Sequence, residues 1–163
     1  MVKPNILWIC TDQQRFDTLG CYGNEFVKTP NIDRLAEQGV VFEKAYVQSP
    51  VCTPSRASFL TGRYPRTTCC RQNGQSIPDR EALITRLFSE AGYACGLAGK
   101  LHLSPCSPVF CKISEQRIDD GYDIFYWSHS HKPKWPANSY QRWLKEMGVG
   151  YHTEPFPGSE YVE

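Results

Sequence analysis

Short apolar runs that alternate with helical patterns constrain the fold of this chain more than any other feature. Asn5 to Cys10 is apolar without helical periodicity, and Val40 to Val47 and Tyr93 to Ala98 have the same strand-like character. The first run ends at the polar stretch Thr11 to Arg15, as expected for a strand that is buried on both faces of a sheet. The sequence therefore predicts three buried strands.

Helical patterns fall between and after these runs. A helix is predicted from Thr29 to Gly39, because proline suits its first turn and its apolar residues share one face. Asp79 is expected to cap a second helix that ends at Gly92, and a third is expected from Ser139 to Met147. Strands that alternate with helices predict an α/β fold, with a mostly parallel sheet flanked by helices on both faces.

Length and charge limit the function classes. The 163 residues give room for one domain, and 18 basic against 17 acidic residues leave a formal net charge of +1 without a block of like charge. No nucleic-acid or membrane partner is therefore expected. No apolar run reaches the roughly 18 residues of a membrane span.

The cysteines and the N-terminus bear on the compartment. Eight cysteines show neither a compact disulfide framework nor paired zinc spacings, which favours a reducing environment. The apolar run near the N-terminus is too short for a signal peptide. A cytoplasmic location is expected.

The stretch from Pro50 to Arg63 carries the strongest chemical signal. Pro54 suits a first helical turn and Gly62 a helix end, so Cys52 is expected at the start of a short helix. Backbone N–H groups at a helix start favour an anion and lower the pKa of a nearby thiol. Arg56 adds a planar cation that suits a tetrahedral oxyanion. These residues predict chemistry on a phosphate or sulfate ester.

Two other segments place polar side chains after predicted strands, where α/β sheets bind ligands. Asp12 and Gln13 can present a carboxylate and an amide oxygen to a hard cation. Lys100 and His102 point to the same side of an extended chain, where they can bind one anion together.

The string Cys-Thr-Pro-Ser-Arg at Cys52 to Arg56, continued by Ala-Ser-Phe-Leu-Thr-Gly-Arg-Tyr-Pro, resembles the signature of the sulfatase family. A tyrosine-phosphatase-type loop is disfavoured, because five residues separate the cysteine from the arginine in such a loop and only three separate them here. Thr11 to Arg15 resembles the family's paired metal ligands, with glutamine in place of the usual second aspartate. Gly99 to Leu103 resembles its Gly-Lys-x-His segment.

The resemblance covers nearly the whole chain and implies the alkaline-phosphatase-like α/β fold. Residues 1–163 are identified as the N-terminal part of a sulfatase catalytic domain. Family members take further metal ligands and another lysine from beyond the point where this chain stops.

The activity that the resemblance implies is sulfuric ester hydrolysis. A maturation enzyme, the formylglycine-generating enzyme, oxidises Cys52 to Cα-formylglycine, and one hydroxyl of the hydrated aldehyde attacks sulfur. The alcohol leaves, and the second hydroxyl loses its proton to expel sulfate and rebuild the aldehyde. Arg56 stabilises the diol, Lys100 binds the sulfate, and His102 assists proton transfer.

The resemblance also implies a metal and a substrate. Asp12, Gln13 and the modified Cys52 are the expected ligands of Ca²⁺ or Mg²⁺, and the substrate is a sulfated small molecule or glycan. Asn73, in a turn-like loop, is a candidate substrate contact, because a related branch of phosphonate and phosphodiester hydrolases uses an asparagine there.

Two alternatives remain open from the sequence. A phosphonate monoester or phosphodiester hydrolase of the same superfamily would keep the formylglycine and the metal, and a non-catalytic remnant would keep only the fold. Asp119 to Gly121 is predicted as a turn, and His129 and His131 as exposed loop residues without a catalytic role.

Overall fold

Four α-helices and a two-stranded parallel sheet are formed by residues 2–107, 109–130 and 135–149, which are the residues that the computed structural model describes. The helices are α1 (Pro30–Gln38), α2 (Cys52–Thr61), α3 (Ile84–Glu90) and α4 (Ser139–Glu146), and the strands are β1 (Gly96–Gly99) and β2 (Ile124–Trp127). None of these helices combines the length and apolar character needed to cross a bilayer. The chain divides into two units, Met1–Tyr46 and Val47–Glu163.

The first unit is organised around α1, which confirms the helix predicted from Thr29 to Gly39. Asp33 of this helix accepts hydrogen bonds from the Thr29 hydroxyl at 3.0 Å and the Cys21 N–H at 2.8 Å. These bonds hold the 3₁₀ turn Gly20–Tyr22 against the start of α1. A Cβ at position 20 would lie 2.6 Å from a carboxylate oxygen of Asp33, so a larger residue there would displace this side chain from its hydrogen bonds.

The strands predicted for Asn5 to Cys10 and Val40 to Val47 are wrong. Among the described residues, only β1 and β2 pair as strands, and Leu7 in the first run is 84% exposed. A strand is stabilised by backbone partners elsewhere in the chain, and an apolar run does not specify those partners. Apolar character alone therefore did not produce pairing in either run.

The sheet of the second unit confirms the predicted parallel α/β class. β1 pairs with β2 in parallel, with Gly96 opposite Ile124 and Gly99 opposite Trp127. The strand predicted from Tyr93 to Ala98 is present but shifted towards the C-terminus. β2 was not predicted, because its four aromatic and apolar residues lie in a region rich in proline and turns. Both strands end at the same edge of the sheet.

The core of the second unit joins α2 to the sheet and to the segments that follow each strand. Its buried apolar side chains are Ala57, Cys70, Ile77, Leu83, Leu101, Leu103, Cys106, Cys111, Trp127 and Trp135. The N–H of Ile77 donates to the carbonyl of Leu103 at 2.9 Å, which connects the loop after α2 to the segment after β1.

Helix α3 does not begin at the predicted cap. The residue before its first turn is Leu83, whereas Asp79 lies in a turn closed by a 3.0 Å hydrogen bond from the Glu81 N–H to the Pro78 carbonyl. Asp79 therefore belongs to a separate local structure. Its side chain type is favoured in turns as well as at helix caps, and the sequence did not distinguish the two.

Helix α4 confirms the helix predicted from Ser139 to Met147, and a buried asparagine caps it. The side-chain oxygen of Asn138 accepts from the Gln141 N–H at 3.2 Å and from the Ser128 hydroxyl at 2.9 Å. Its amide group donates to the Ser130 carbonyl at 2.8 Å. One side chain thus caps α4 and fixes it to the segment after β2.

Candidate active site

Cys52 is the first residue of α2, as predicted. The preceding residue, Val51, is extended and provides no side-chain cap. Asn73, which lies in a distant loop, caps the helix instead, because its side-chain oxygen accepts a hydrogen bond from the Thr53 N–H at 3.0 Å. Gly62 ends the helix, as predicted, and has a left-handed conformation with φ at 67°. The candidate nucleophile therefore sits at a helix start that Asn73 holds.

Arg56 lies one turn after Cys52 on the same face of α2, since residues four apart are neighbours on a helix. It is only 7% exposed, and its Nη1 donates to the backbone carbonyl of Lys100 at 2.6 Å. Lys100 directly follows β1. This bond brings the helix that carries Cys52 against the end of the parallel sheet.

The sequence analysis expected Lys100 and His102 to point to the same side of an extended chain. This prediction is wrong, because the segment after β1 is not extended as far as His102. β1 ends at Gly99, and His102 adopts a left-handed backbone conformation with φ at 58°. Such a conformation costs about 1–3 kcal/mol for a residue with a side chain and persists only where its surroundings impose it.

Glu115 imposes the conformation at His102. The carboxylate, 2% exposed, accepts the His102 N–H at 2.8 Å and the Ser104 N–H at 3.1 Å, and it also accepts the Leu103 N–H. The indole N–H of Trp127 donates to it at 3.0 Å. Burial raises the pKa of Glu115, and the N–H donors oppose that rise. Sequence reasoning missed this residue, because a single acidic side chain in an irregular segment gives no local signal.

His129 corrects a second prediction. It is half-buried, and its ring lies edge-on to the ring of His102 with centroids 4.4 Å apart. It also stacks on Trp127 at 6.2 Å and contacts Trp135 edge-on at 5.2 Å. Its place after β2 could have indicated the site, had that strand been predicted. His131 lies outside the described residues.

The predicted metal ligands Asp12 and Gln13 belong to the first unit, whereas the other candidate residues belong to the second. Both are exposed, and Gln13 has a left-handed backbone with φ at 55°. A carboxylate beside an amide oxygen is a donor set that fits a hard divalent cation. The thiol of Cys52 is a soft ligand and does not fit such a cation in its unmodified form.

The second unit thus presents cationic and imidazole side chains where its two parallel strands end. Lys100 and His102 follow β1, the ring of His129 after β2 contacts that of His102, and Arg56 of α2 donates to the Lys100 carbonyl. This is where open α/β proteins place their ligand sites. The fold and the site define an α/β protein with basic and imidazole side chains at the carboxyl edge of its sheet.

Residues 4–156 match the family model of the sulfatases, and the chain belongs to the sulfatase family. It is 39% identical to arylsulfatase D of Homo sapiens over 135 residues, which cover 76% of this chain and 23% of that protein. The chain spans about a quarter of the length of the first curated relatives that it matches.

Solved structures confirm the alkaline-phosphatase-like fold class. A structure in complex with its substrate, D-glucosamine-2-N,6-O-disulfate, is 30% identical with a TM-score of 0.65, and the match covers 80% of this chain and 24% of that one. The phosphonate monoester hydrolase of Agrobacterium radiobacter is 27% identical with a TM-score of 0.73, covering 90% of this chain and 29% of that one.

Proposed function

We propose that this chain carries the nucleophile and the anion-binding residues of a sulfuric ester hydrolase, with Cys52 acting after its oxidation to formylglycine. The observation that supports this most directly is the Arg56 contact with the Lys100 carbonyl, at 2.6 Å. This contact connects the signature from Cys52 to Arg56, at the start of α2, to the segment that carries Lys100 and His102. Neither segment alone indicates where the other lies.

Each residue has a role that its position allows. Arg56 contributes a buried positive charge one turn from Cys52, where it stabilises an oxyanion that forms at that position. Lys100 follows the strand end and neutralises sulfate oxygens as a point charge. His102, held by Glu115, donates a proton to the leaving alcohol. An aldehyde at Cys52, once hydrated, supplies both the attacking hydroxyl and the hydroxyl that releases sulfate.

A hard divalent cation, Ca²⁺ or Mg²⁺, is the proposed cofactor, with Asp12 and Gln13 among its ligands. When bound, such a cation neutralises negative charge on a sulfate group and lowers the pKa of a coordinated hydroxyl. Asp12 supplies the charged oxygen of the pair and Gln13 a neutral one. Substitution of Asp12 is therefore expected to weaken metal affinity more than substitution of Gln13.

A sulfated glycan is the proposed substrate class, supported by the structural relative that holds a glucosamine disulfate. Asn73 contributes to the site by capping the start of the helix that carries Cys52. Its side-chain oxygen is used by the Thr53 N–H, so a substrate contact from this residue would come from its amide nitrogen.

The modification of Cys52 is the first test. After co-expression with a formylglycine-generating enzyme, peptide mass spectrometry should find an aldehyde at Cys52, and a hydrazide probe should label it. The Cys52→Ala variant should lose the label, and Cys69→Ala, which removes an exposed cysteine outside the signature, should keep it. An unmodified Cys52 thiol after efficient co-expression refutes the assignment.

A phosphonate monoester hydrolase is the second candidate, favoured by the solved enzyme that matches 90% of the chain. Both candidates predict the aldehyde, so the modification does not separate them. Rates of the aldehyde-bearing protein on paired aryl sulfate and aryl phosphonate substrates do. A preference for the sulfate supports the first proposal, and a preference for the phosphonate replaces it.

A further inference from the structure

Three side chains, two of them in the candidate active site, form a cluster that sulfate ester hydrolysis does not use as a unit. His102 and Cys106 are each 6% exposed, and His129 is half-buried. One ligand atom from each of the three lies within 4.8 Å of the other two. We infer that His102, Cys106 and His129 form a binding site for a thiophilic divalent metal such as Zn²⁺.

The donor set selects the class of metal. Imidazole nitrogen and thiolate sulfur suit Zn²⁺ and its neighbours in the first transition row, whereas Ca²⁺ and Mg²⁺ take oxygen ligands. The cluster is therefore chemically distinct from Asp12 and Gln13, which offer only oxygen donors of the hard type. Three protein ligands leave a fourth tetrahedral position open to water or another small ligand.

The three ligand atoms must move slightly closer together to bind one metal ion. Bonds of about 2.0–2.1 Å to nitrogen and about 2.3 Å to sulfur place tetrahedral ligand atoms about 3.3–3.6 Å apart. The limit of 4.8 Å in this structure exceeds that by about 1.2–1.5 Å. His129 is the least buried of the three, so the proposed site closes through a change in the position of its ring.

The surroundings favour a cation. Glu115 holds the backbone of His102 with a 2.8 Å hydrogen bond. Burial raises the pKa of the Cys106 thiol and the negative charge of Glu115 adds to that rise, so the thiol keeps its proton until a cation binds and offsets both effects. The Cys106 thiol donates to the Ser104 carbonyl at 3.3 Å. Metal binding replaces that S–H bond with a metal–thiolate bond and releases one proton to solvent.

Binding has a consequence for catalysis that rests on the proposed function. A metal on His102 withdraws the imidazole from proton transfer, so Zn²⁺ should inhibit sulfate ester hydrolysis. The binding itself does not depend on that activity, because all three ligands are unmodified side chains of the chain. Spectroscopy of the metal complex therefore tests the inference separately.

Cobalt provides the test. Titration of the complete, reduced chain with Co²⁺ in excess Ca²⁺ should produce a thiolate-to-cobalt charge-transfer band in the near ultraviolet and visible bands of a tetrahedral ion. Cys106→Ser should abolish the charge-transfer band, and His129→Asn should weaken Co²⁺ binding by at least about tenfold. Cys70→Ser, which alters an equally buried cysteine outside the cluster, should leave both unchanged.

The outcomes are decisive even if Cys106→Ser does not fold. Circular dichroism identifies such a failure, and the less buried His129→Asn variant then carries the test. Retention of the charge-transfer band in folded Cys106→Ser, or wild-type affinity in folded His129→Asn, overturns the site. Loss of the band in folded Cys70→Ser overturns it as well, because the thiolate would then lie elsewhere.

Discussion

Replacement of Glu115 by glutamine should destabilise the second unit without changing its shape. In the native structure one carboxylate oxygen accepts the N–H groups of Leu103 and Ser104, and the other accepts those of His102 and Trp127. A glutamine keeps one acceptor oxygen but turns an NH₂ group towards two donors. Two hydrogen bonds to a charged acceptor are lost.

The magnitude follows from those two bonds. Each is worth about 1.5–3 kcal/mol, so the gross loss is about 3–6 kcal/mol. Glutamine also removes the cost of burying a charge, the same effect that raises the pKa of Glu115. We therefore expect the free energy of unfolding to fall by about 3 kcal/mol, near the lower limit of that range.

Urea denaturation followed by tryptophan fluorescence measures the change, since Trp127 and Trp135 both lie in the core of this unit. Glu90→Gln is the matched control, because Glu90 lies at the surface and forms an exposed ion pair with Arg86. Hydrogen exchange at the His102 amide should accelerate by more than the global loss of stability explains. A Glu115→Gln variant within about 0.5 kcal/mol of the wild type would refute the reasoning.

Three further substitutions or reactions test other contacts of the second unit. Asn73→Ala should lower the free energy of unfolding by about 1 kcal/mol, because α2 loses its N-terminal acceptor, and chemical denaturation measures this. Iodoacetamide should alkylate exposed Cys69 before Cys70, because burial raises the pKa of the Cys70 thiol and leaves less thiolate to react; equal rates by peptide mass spectrometry would contradict this. Arg63→Ala should lower the free energy of unfolding by about 1.5 kcal/mol in a thermal or urea melt, because it removes the ion-pair partner that lies 2.9 Å from buried Glu81. The effect is small because the arginine is half-exposed and solvent screens its charge.

The elements that the sequence predicted correctly are those that local chemistry determines. Helix α1 has its proline in the first turn, α2 ends at a left-handed glycine, and α4 follows a capping asparagine. Each of these signals lies within a few residues of the helix end that it defines. They can be recognised without knowledge of the rest of the fold.

Strands were predicted less well, because pairing is a property of two distant segments. The run from Asn5 to Cys10 is longer than β2, yet β2 pairs and that run does not. The same limit applies to the site. Cys52 and Arg56 could be placed on one helix face from their spacing, but the position of His102 depends on Glu115, thirteen residues further along the chain.

The assignments of Asp12, Gln13 and Cys52 to a metal, and of Lys100 to sulfate, remain predictions. Family motifs suggested them, and the donor chemistry of the aspartate–glutamine pair agrees with a hard cation. The cluster of His102, Cys106 and His129 had no such motif. It combines His102 and Cys106, from the segment after β1, with His129 after β2, and the Gly-Lys-x-His motif gave no indication of the other two residues.

The contact between Arg56 and residue 100 uses a backbone carbonyl rather than a side chain. Every amino acid supplies that carbonyl, so the acceptor of this hydrogen bond is present whichever side chain occupies position 100. A substitution of Lys100 changes the charge beside α2 and keeps the atom to which Arg56 donates. For an engineer, position 100 is therefore a place where side-chain charge can be varied while this connection between α2 and the strand end keeps its acceptor.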